Sequence, residues 1–315
     1  MHTVSVSRLK TRLSSLLPAS SFRADEPLAP RTTFRVGGPA DLWARPEGPE
    51  AESLCAAVLR AAREEEVPVL VLGGGANVVV ADRGVRGLVL DTGGLSGCTF
   101  PEGEGGPSVV VGSGTTVDDA VEACAARSYS CLEFMAGMPG TIGGAVWMNA
   151  RCYGSSVSDV LRETTIVDED FAIRHVPFDP AAFSYKRSPF QTRRALIVSA
   201  RFALAPKDAA EVRAEAALRR ADREAKGHYR LPSAGSSFKN DYGYGKPTGQ
   251  IVDELGLRGL AVGGARVSDW HGNIIVNAGG ATAADIRALA DLVAARVEAA
   301  LGLALEPEIL FVGDW

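Results

Sequence analysis

Gly137-Met-Pro-Gly-Thr-Ile-Gly-Gly-Ala-Val-Trp-Met-Asn149 sets the terms for the whole chain. Pro139 fixes its own φ, whereas Gly140 is free to take a positive one. Gly143 and Gly144 carry no side chain to keep the backbone away from something flat or large, Thr141 offers a hydroxyl and Asn149 an amide. Glycine fills little volume and loses much entropy on ordering, so a block of this length in a β-rich region reads as the lining of a cofactor rather than as core. A second block, Leu72-Gly-Gly-Gly-Ala-Asn77, follows a strand at 67–72 and leads into Val78-Val-Val80. Consecutive glycines let N–H groups converge on an anion, although three glycines alone also suit a plain turn. The pattern is neither a G-x-G-x-x-G opening a helix nor a P-loop ending in GK[ST]. Taken together, the two blocks indicate an extended ligand with a diphosphate, held by backbone rather than by arginines.

Composition narrows the setting. A chain of 315 residues is expected to form two or three domains. A net charge of -5 gives no general attraction for nucleic acid or anionic lipid. The longest apolar run, 67–80, is interrupted by glycines and falls short of the roughly 20 residues of a membrane helix. A soluble, cytoplasmic protein with no membrane insertion and no obligatory protein partner is the expectation. Cys55, Cys98, Cys124, Cys131 and Cys152 show no CxxC spacing, which favours reduced thiols over a disulfide framework and predicts no metal site.

Periodicity supplies the elements. Apolar spacing predicts helices over 50–66, 116–127, 207–226, 248–256 and 282–301, the last carrying a stripe of Ile286, Leu289, Val293, Val297 and Ala300 behind a Thr282 cap. Short β-rich runs ended by glycine or proline fall at 67–72, 78–80, 87–112, 159–176, 194–204, 259–278 and 308–312. The polar helix 207–226 is the natural boundary between a strand-rich region of residues 20–205 and a region 206–315 of different character. A doubly wound nucleotide fold is the default for glycines that follow a strand.

Seven motifs, in this order, change that default: TTFRVGGPAD at 32–41, VLGGGANVVV at 71–80, GMPGTIGGAVWMNARCYG at 137–154, FSYKRSPF at 183–190, SAGSSFKND at 233–241, GGARVSDWHGNIIVN at 263–277 and LEPEILFVG at 305–313. The chain resembles the UDP-N-acetylenolpyruvoylglucosamine reductase family, in its shorter subclass without an inserted tyrosine loop. The resemblance implies an α+β fold: a vanillyl-alcohol-oxidase-type FAD-binding domain over 20–205 in two lobes, split near 85–90, and a substrate-binding domain over 206–315 whose C-terminal strand returns a glutamate to the site. It also implies non-covalent FAD, NADPH as reductant and UDP-N-acetylglucosamine enolpyruvate as substrate, reduced to UDP-N-acetylmuramate for peptidoglycan synthesis. A related FAD-dependent oxidase of a small alcohol would need an activating base and often a covalent flavin, for which no histidine or cysteine is suitably placed. A non-catalytic flavin-binding module would leave the reactive residues below unconstrained.

The family resemblance assigns roles to particular positions. Arg35, Gly73, Gly74, Gly75, Ala76, Asn77, Gly137, Pro139, Gly140, Thr141, Gly143 and Gly144 match cofactor-binding positions. Ser236 matches the proton donor, with its neighbour Ser237 as a rival, and Glu308 matches the catalytic glutamate. Lys186 stands where the family has an arginine for the enolpyruvyl carboxylate, keeping the charge and losing the planar fork, with Arg187 as its rival. Tyr153, Tyr185, Lys239 and Asn240 match substrate-binding positions. Two letters depart from the pattern: Asp241 replaces a proline, and Leu310 replaces an arginine two positions after the glutamate.

Overall fold

The computed structural model describes residues 2–102 and 105–315. Among them the chain clusters into two compact units: residues 1–24, 42–74 and 87–221 form the first, and residues 25–41, 75–86 and 222–315 the second. The architecture is α+β, as expected, and no described helix is long and apolar enough to cross a membrane.

The first unit contains helices α1 (His2–Leu16), α2 (Ala51–Glu64), α3 (Val117–Ala125), α4 (Ile142–Trp147) and α5 (Ala209–Ala225). Its largest sheet runs, in spatial order, Ile173–Pro177, Leu161–Val167, Leu196–Ala203, Ser108–Gly112, Cys98–Thr99, all antiparallel. Alternation sends Val109, Val111, Ile166, Ala200 and Phe202 to one face, against Val117, Val121 and Ile142 of α3 and α4. The strand Val69–Leu72 pairs in parallel with residues 88–91, which places Leu72 opposite Asp91. Helix α1 lies in a segment to which the sequence reading gave no element. Its Leu9 and Leu13, with Leu17 just beyond, repeat every four residues and are buried with Cys55, Val58 and Ala62 of α2.

The second unit is built around α6 (Thr248–Glu254), α7 (Ala283–Leu301) and a three-stranded antiparallel sheet, Ala261–Val262, Ala265–Val267, Ile275–Asn277. Helix α7 buries Ile286, Leu289, Val293 and Val297, each worth about 1.5–3 kcal/mol. Ala300, placed in that stripe from sequence, is exposed instead, because the stripe drifts off the apolar face in the last turn. Thr282 and Asp285 form a reciprocal capping box, and Gly302, at φ +67°, ends the helix in the left-handed conformation. The strand Val78–Val80 pairs in parallel with Leu310–Val312. That pairing, with Phe34, Val36 and Val79 in the second core, puts segments 25–41 and 75–86 with the C-terminal residues rather than with their sequence neighbours.

Candidate active site

In the first unit the strand Val69–Leu72 delivers Gly73 and Gly74 against the 137–149 block. A Cβ on Gly74 would stand 2.8 Å from Gly140 Cα, and one on Gly73 2.6 Å from Thr141 Oγ1. Gly140, at φ +119°, and Gly137, at φ +75°, hold conformations that side-chain-bearing residues rarely adopt. Here the two glycine blocks therefore meet main chain to main chain. The N–H groups of Gly73, Gly74, Gly75, Ala76 and Asn77 donate no hydrogen bond among the described residues. Thr141 Oγ1, and Ser113 Oγ behind Gly143, are buried without a hydrogen-bond partner among the described residues. Within the first unit, the unengaged N–H groups of Gly73 and Gly74 and the buried orphan hydroxyls make an arrangement that a polar, anionic ligand satisfies.

The block also has a purely architectural part. Gly137 N–H is committed to Asp118 Oδ1 at 2.9 Å, Ile142 N–H to Thr115 O at 2.9 Å and Gly143 N–H to Ser113 O at 2.8 Å. A Cβ on Gly143 would come within 2.7 Å of Ser113 Cβ, so this glycine lets α4 seat on the end of a strand. Pro139 is exposed at the turn, and a Cβ on Gly144 would meet only Thr141 Oγ1, at 3.9 Å.

Tyr185 and Lys186 form the tip of a tight hairpin closed by two bonds between Ser184 and Arg187, of 3.1 and 3.0 Å. Lys186 sits at φ +57° and is half-buried, whereas Arg187 is exposed. The hairpin is tied to the end of α4 from several sides. Asn149 donates to Ser184 O at 2.9 Å, Ser188 Oγ to Trp147 O at 2.7 Å, and Gln191 Nε2 to both Trp147 O and Lys186 O, at 3.1 and 3.0 Å. Asn149 and Gln191 are thus supports that the sequence reading did not assign. Tyr153, at φ +51°, donates its hydroxyl to Arg219 O at 3.4 Å, and the Arg219 guanidinium lies 4.4 Å from the centre of its ring.

In the second unit the SAGSSFKND loop is laid between two other segments. Ser236 pairs with Ile274 and Phe238 with Pro307. Ser236 is half-buried, and its hydroxyl makes no hydrogen bond among the described residues. Ser237 is buried, its Oγ accepting from Ile275 N at 3.2 Å and its carbonyl from Glu308 N at 2.8 Å. The serine with an uncommitted hydroxyl is therefore the one the motif selects. Glu308 is buried, and its own carbonyl accepts from Asn77 Nδ2 at 2.9 Å, while Leu310 N donates to Asn77 O at 3.0 Å. Asn77 consequently clamps the segment around Glu308 that leads into the last strand, a job beyond the cofactor contact expected of it.

The rest of the loop is anchored by its polar side chains. Lys239 Nζ meets Glu306 Oε1 at 2.6 Å, and Asn240 Oδ1 accepts from Thr248 N at the start of α6 at 2.9 Å. Asp241 Oδ1 accepts the N–H of Gly243 at 2.8 Å, closing a local turn, which accounts for the acidic letter. Arg35, at φ +56°, is exposed at the end of a turn bonded from Arg35 N to Thr32 O.

Residues 227–312 match the family model described as UDP-N-acetylenolpyruvoylglucosamine reductase, C-terminal domain, and residues 48–176 match one described as FAD binding domain. A UDP-N-acetylenolpyruvoylglucosamine reductase of Treponema denticola is 36% identical over 92% of this chain and 93% of its own. The enzyme of that name from an Anaeromyxobacter species is 40% identical over 92% and 88%. The chain belongs to the UDP-N-acetylenolpyruvoylglucosamine reductase family. The crystal structure of the reductase from Thermus caldophilus, 32% identical, superposes with a TM-score of 0.73 over 92% of this chain and 97% of that one. As a reductase of this family the chain should hold FAD, and the residues on hand suit it. In the first unit the unengaged amides of Gly73 and Gly74, the bare approach of Gly74 to Gly140 and the orphan Thr141 hydroxyl provide donors and room for a phosphate-bearing cofactor.

Proposed function

We propose that this reductase converts UDP-N-acetylglucosamine enolpyruvate to UDP-N-acetylmuramate at the expense of NADPH. The observation that carries the assignment of roles is the bond from Glu308 N to Ser237 O, which ties the matched glutamate to the residue next to the matched serine. FAD, when bound, would supply the hydride-transfer chemistry that couples NADPH oxidation to reduction of the enolpyruvyl group at C3. Hydride addition builds negative charge toward the enolpyruvyl carboxylate. Lys186, half-buried on a braced hairpin, is the cation assigned to that carboxylate. Ser236 holds, at Oγ, the proton delivered to C2; a hydroxyl is a weak acid, but the carbon it protonates is a strong base. Glu308 works across the same intermediate, with its main chain fixed on both sides by Ser237 and Asn77. Gly73 to Asn77, Gly140 and Thr141 hold the cofactor, and Tyr153, Tyr185, Lys239 and Asn240 the nucleotide substrate.

The test separates the two half-reactions. Anaerobic protein reduced by NADPH is mixed with the enolpyruvyl substrate, and the return of flavin absorbance is followed by stopped flow. In Ser236→Ala, reduction proceeds at the wild-type rate while reoxidation slows by about 100- to 10,000-fold. If both half-reactions survive intact, Ser236 is not the donor.

A further inference from the structure

Asn273 stands where the reactive loop depends on it most. Its Oδ1 accepts the N–H of Phe238 at 2.9 Å, its Nδ2 donates to Phe238 O at 2.8 Å, and its own carbonyl accepts the N–H of Ser237 at 2.7 Å. The residue is buried, so these three bonds form away from water. They hold the two residues that follow Ser236, and Ser237 passes the constraint on by accepting from Glu308 N. Asn273 is itself held by His271, whose Nδ1 accepts the Asn273 N–H at 3.1 Å. His271 is fixed at both ends of its main chain by Ser268, whose Oγ donates to His271 O at 2.7 Å and accepts from His271 N at 3.1 Å.

We propose that Asn273 is the positioning residue for both Ser236 and Glu308, and that neutral His271 is the latch that keeps it in place. The proposal rests on the roles given above to Ser236 and Glu308. Its chemistry is simple: Nδ1 has a lone pair to offer only while the imidazole is neutral with its proton on Nε2, and the imidazolium has donors alone. Protonating His271 therefore removes the acceptor of the Asn273 N–H.

The surroundings keep the latch closed at neutral pH. Burial disfavours the imidazolium and lowers the His271 pKa, Asp253 opposes that shift, and Arg258, paired with Asp253, and Lys226 add to it. The ring of His228 lies 6.1 Å away. Burial first, then Arg223, His271 and Lys226 push His228 down to about 4 against the pull of Asp222. The latch is closed above the His271 pKa and opens as pH falls through it, below the usual histidine value of about 6.5.

The experiment compares wild-type holoenzyme with His271→Asn, His271→Leu and Asn273→Asp. Each is followed by the two half-reactions as a function of pH and by hydrogen exchange of the peptide covering residues 236–238, corrected for intrinsic rates. In wild type, reoxidation by the enolpyruvyl substrate falls by about tenfold as the latch opens, exchange at 236–238 quickens in step, and reduction by NADPH is unchanged. Asparagine offers a side-chain oxygen near the Nδ1 position that does not titrate, so His271→Asn loses the acid limb and keeps the rate. His271→Leu and Asn273→Asp show the fast exchange and slow reoxidation at every pH. An acid limb in His271→Asn equal to that of wild type overturns the proposal, as does exchange at 236–238 that is the same in all four proteins. A wild-type protein that the enolpyruvyl substrate fails to reoxidise at any pH overturns the assigned reaction instead, and the exchange data then judge the latch on their own.

Discussion

Lys186 pays for its conformation with strain of about 1 kcal/mol, since lysine gains nothing from φ +57° that glycine would not supply more easily. A strained lysine on a hairpin braced by Gln191 and Ser188 points to a need for its ammonium. Lys186→Gly is expected to leave stability equal or raise it by up to about 1 kcal/mol, measured by urea midpoint, while slowing reoxidation by about 100-fold. Arg187→Met, at an exposed position, should change that rate by less than about threefold. Equal losses in the two variants would show that the carboxylate is held by both cations or by neither. At this scale the sequence was legible where a motif names a residue and opaque where a contact does. Ser236 follows Gly235 in the motif, and the structure distinguishes it from Ser237 by leaving its hydroxyl uncommitted. The bonds from Asn273 to Phe238 span 35 positions, and no spacing rule announces them. Asp241 stood out as a departure from the family's proline because its turn-closing bond to Gly243 looks the same in letters as a surface charge.

Helices show the same division between local and distant causes. The 3.6-residue period, the Thr282 cap and the acidic first turn made α7 readable, because all three signals are contiguous. What the period missed is a second anchor 201 residues upstream. Asp82 Oδ1 accepts from Ala283 N at 2.8 Å, and Oδ2 from Ala284 N at 2.9 Å, so one carboxylate satisfies two of the helix's unpaired N–H groups and faces the positive end of its dipole. Asp82→Ala should destabilise the protein by about 1–2 kcal/mol, seen as a lower denaturant midpoint with an unchanged slope. Retention of the wild-type midpoint would mean that the Thr282–Asp285 box alone suffices. Helix α4 went unassigned for the opposite reason. At six residues, two of them glycine, it has too little period to register, and it is held by the carbonyls of Ser113 and Thr115, in the turn after the strand Ser108–Gly112, rather than by its own propensity.

For the molecule as a whole, a boundary at 206 follows the change in composition along the chain, and composition cannot show a chain that returns. The second unit draws on three separate segments, and its core contains Phe34, Val36 and Val79 together with Val267, Ile275, Ile286 and Ile309. The strand Leu310–Val312 finds its partner at Val78–Val80, and Asn77 bonds to the backbone at both Glu308 and Leu310. A fragment of residues 222–315 would keep α6, α7 and the three-stranded sheet while exposing the apolar surface that those upstream residues cover. It would also leave the last strand without its ladder. Such a fragment is expected to retain helical circular dichroism yet show poor dispersion in its amide NMR spectrum, bind a hydrophobic dye and melt without a cooperative transition. A fragment that unfolds cooperatively with dispersed amide signals would show that the upstream segments are decoration on a self-sufficient domain. Failure of the fragment also fixes the order of assembly, since Glu308 cannot be held by Asn77 until residues 75–86 and the C-terminal strand have met.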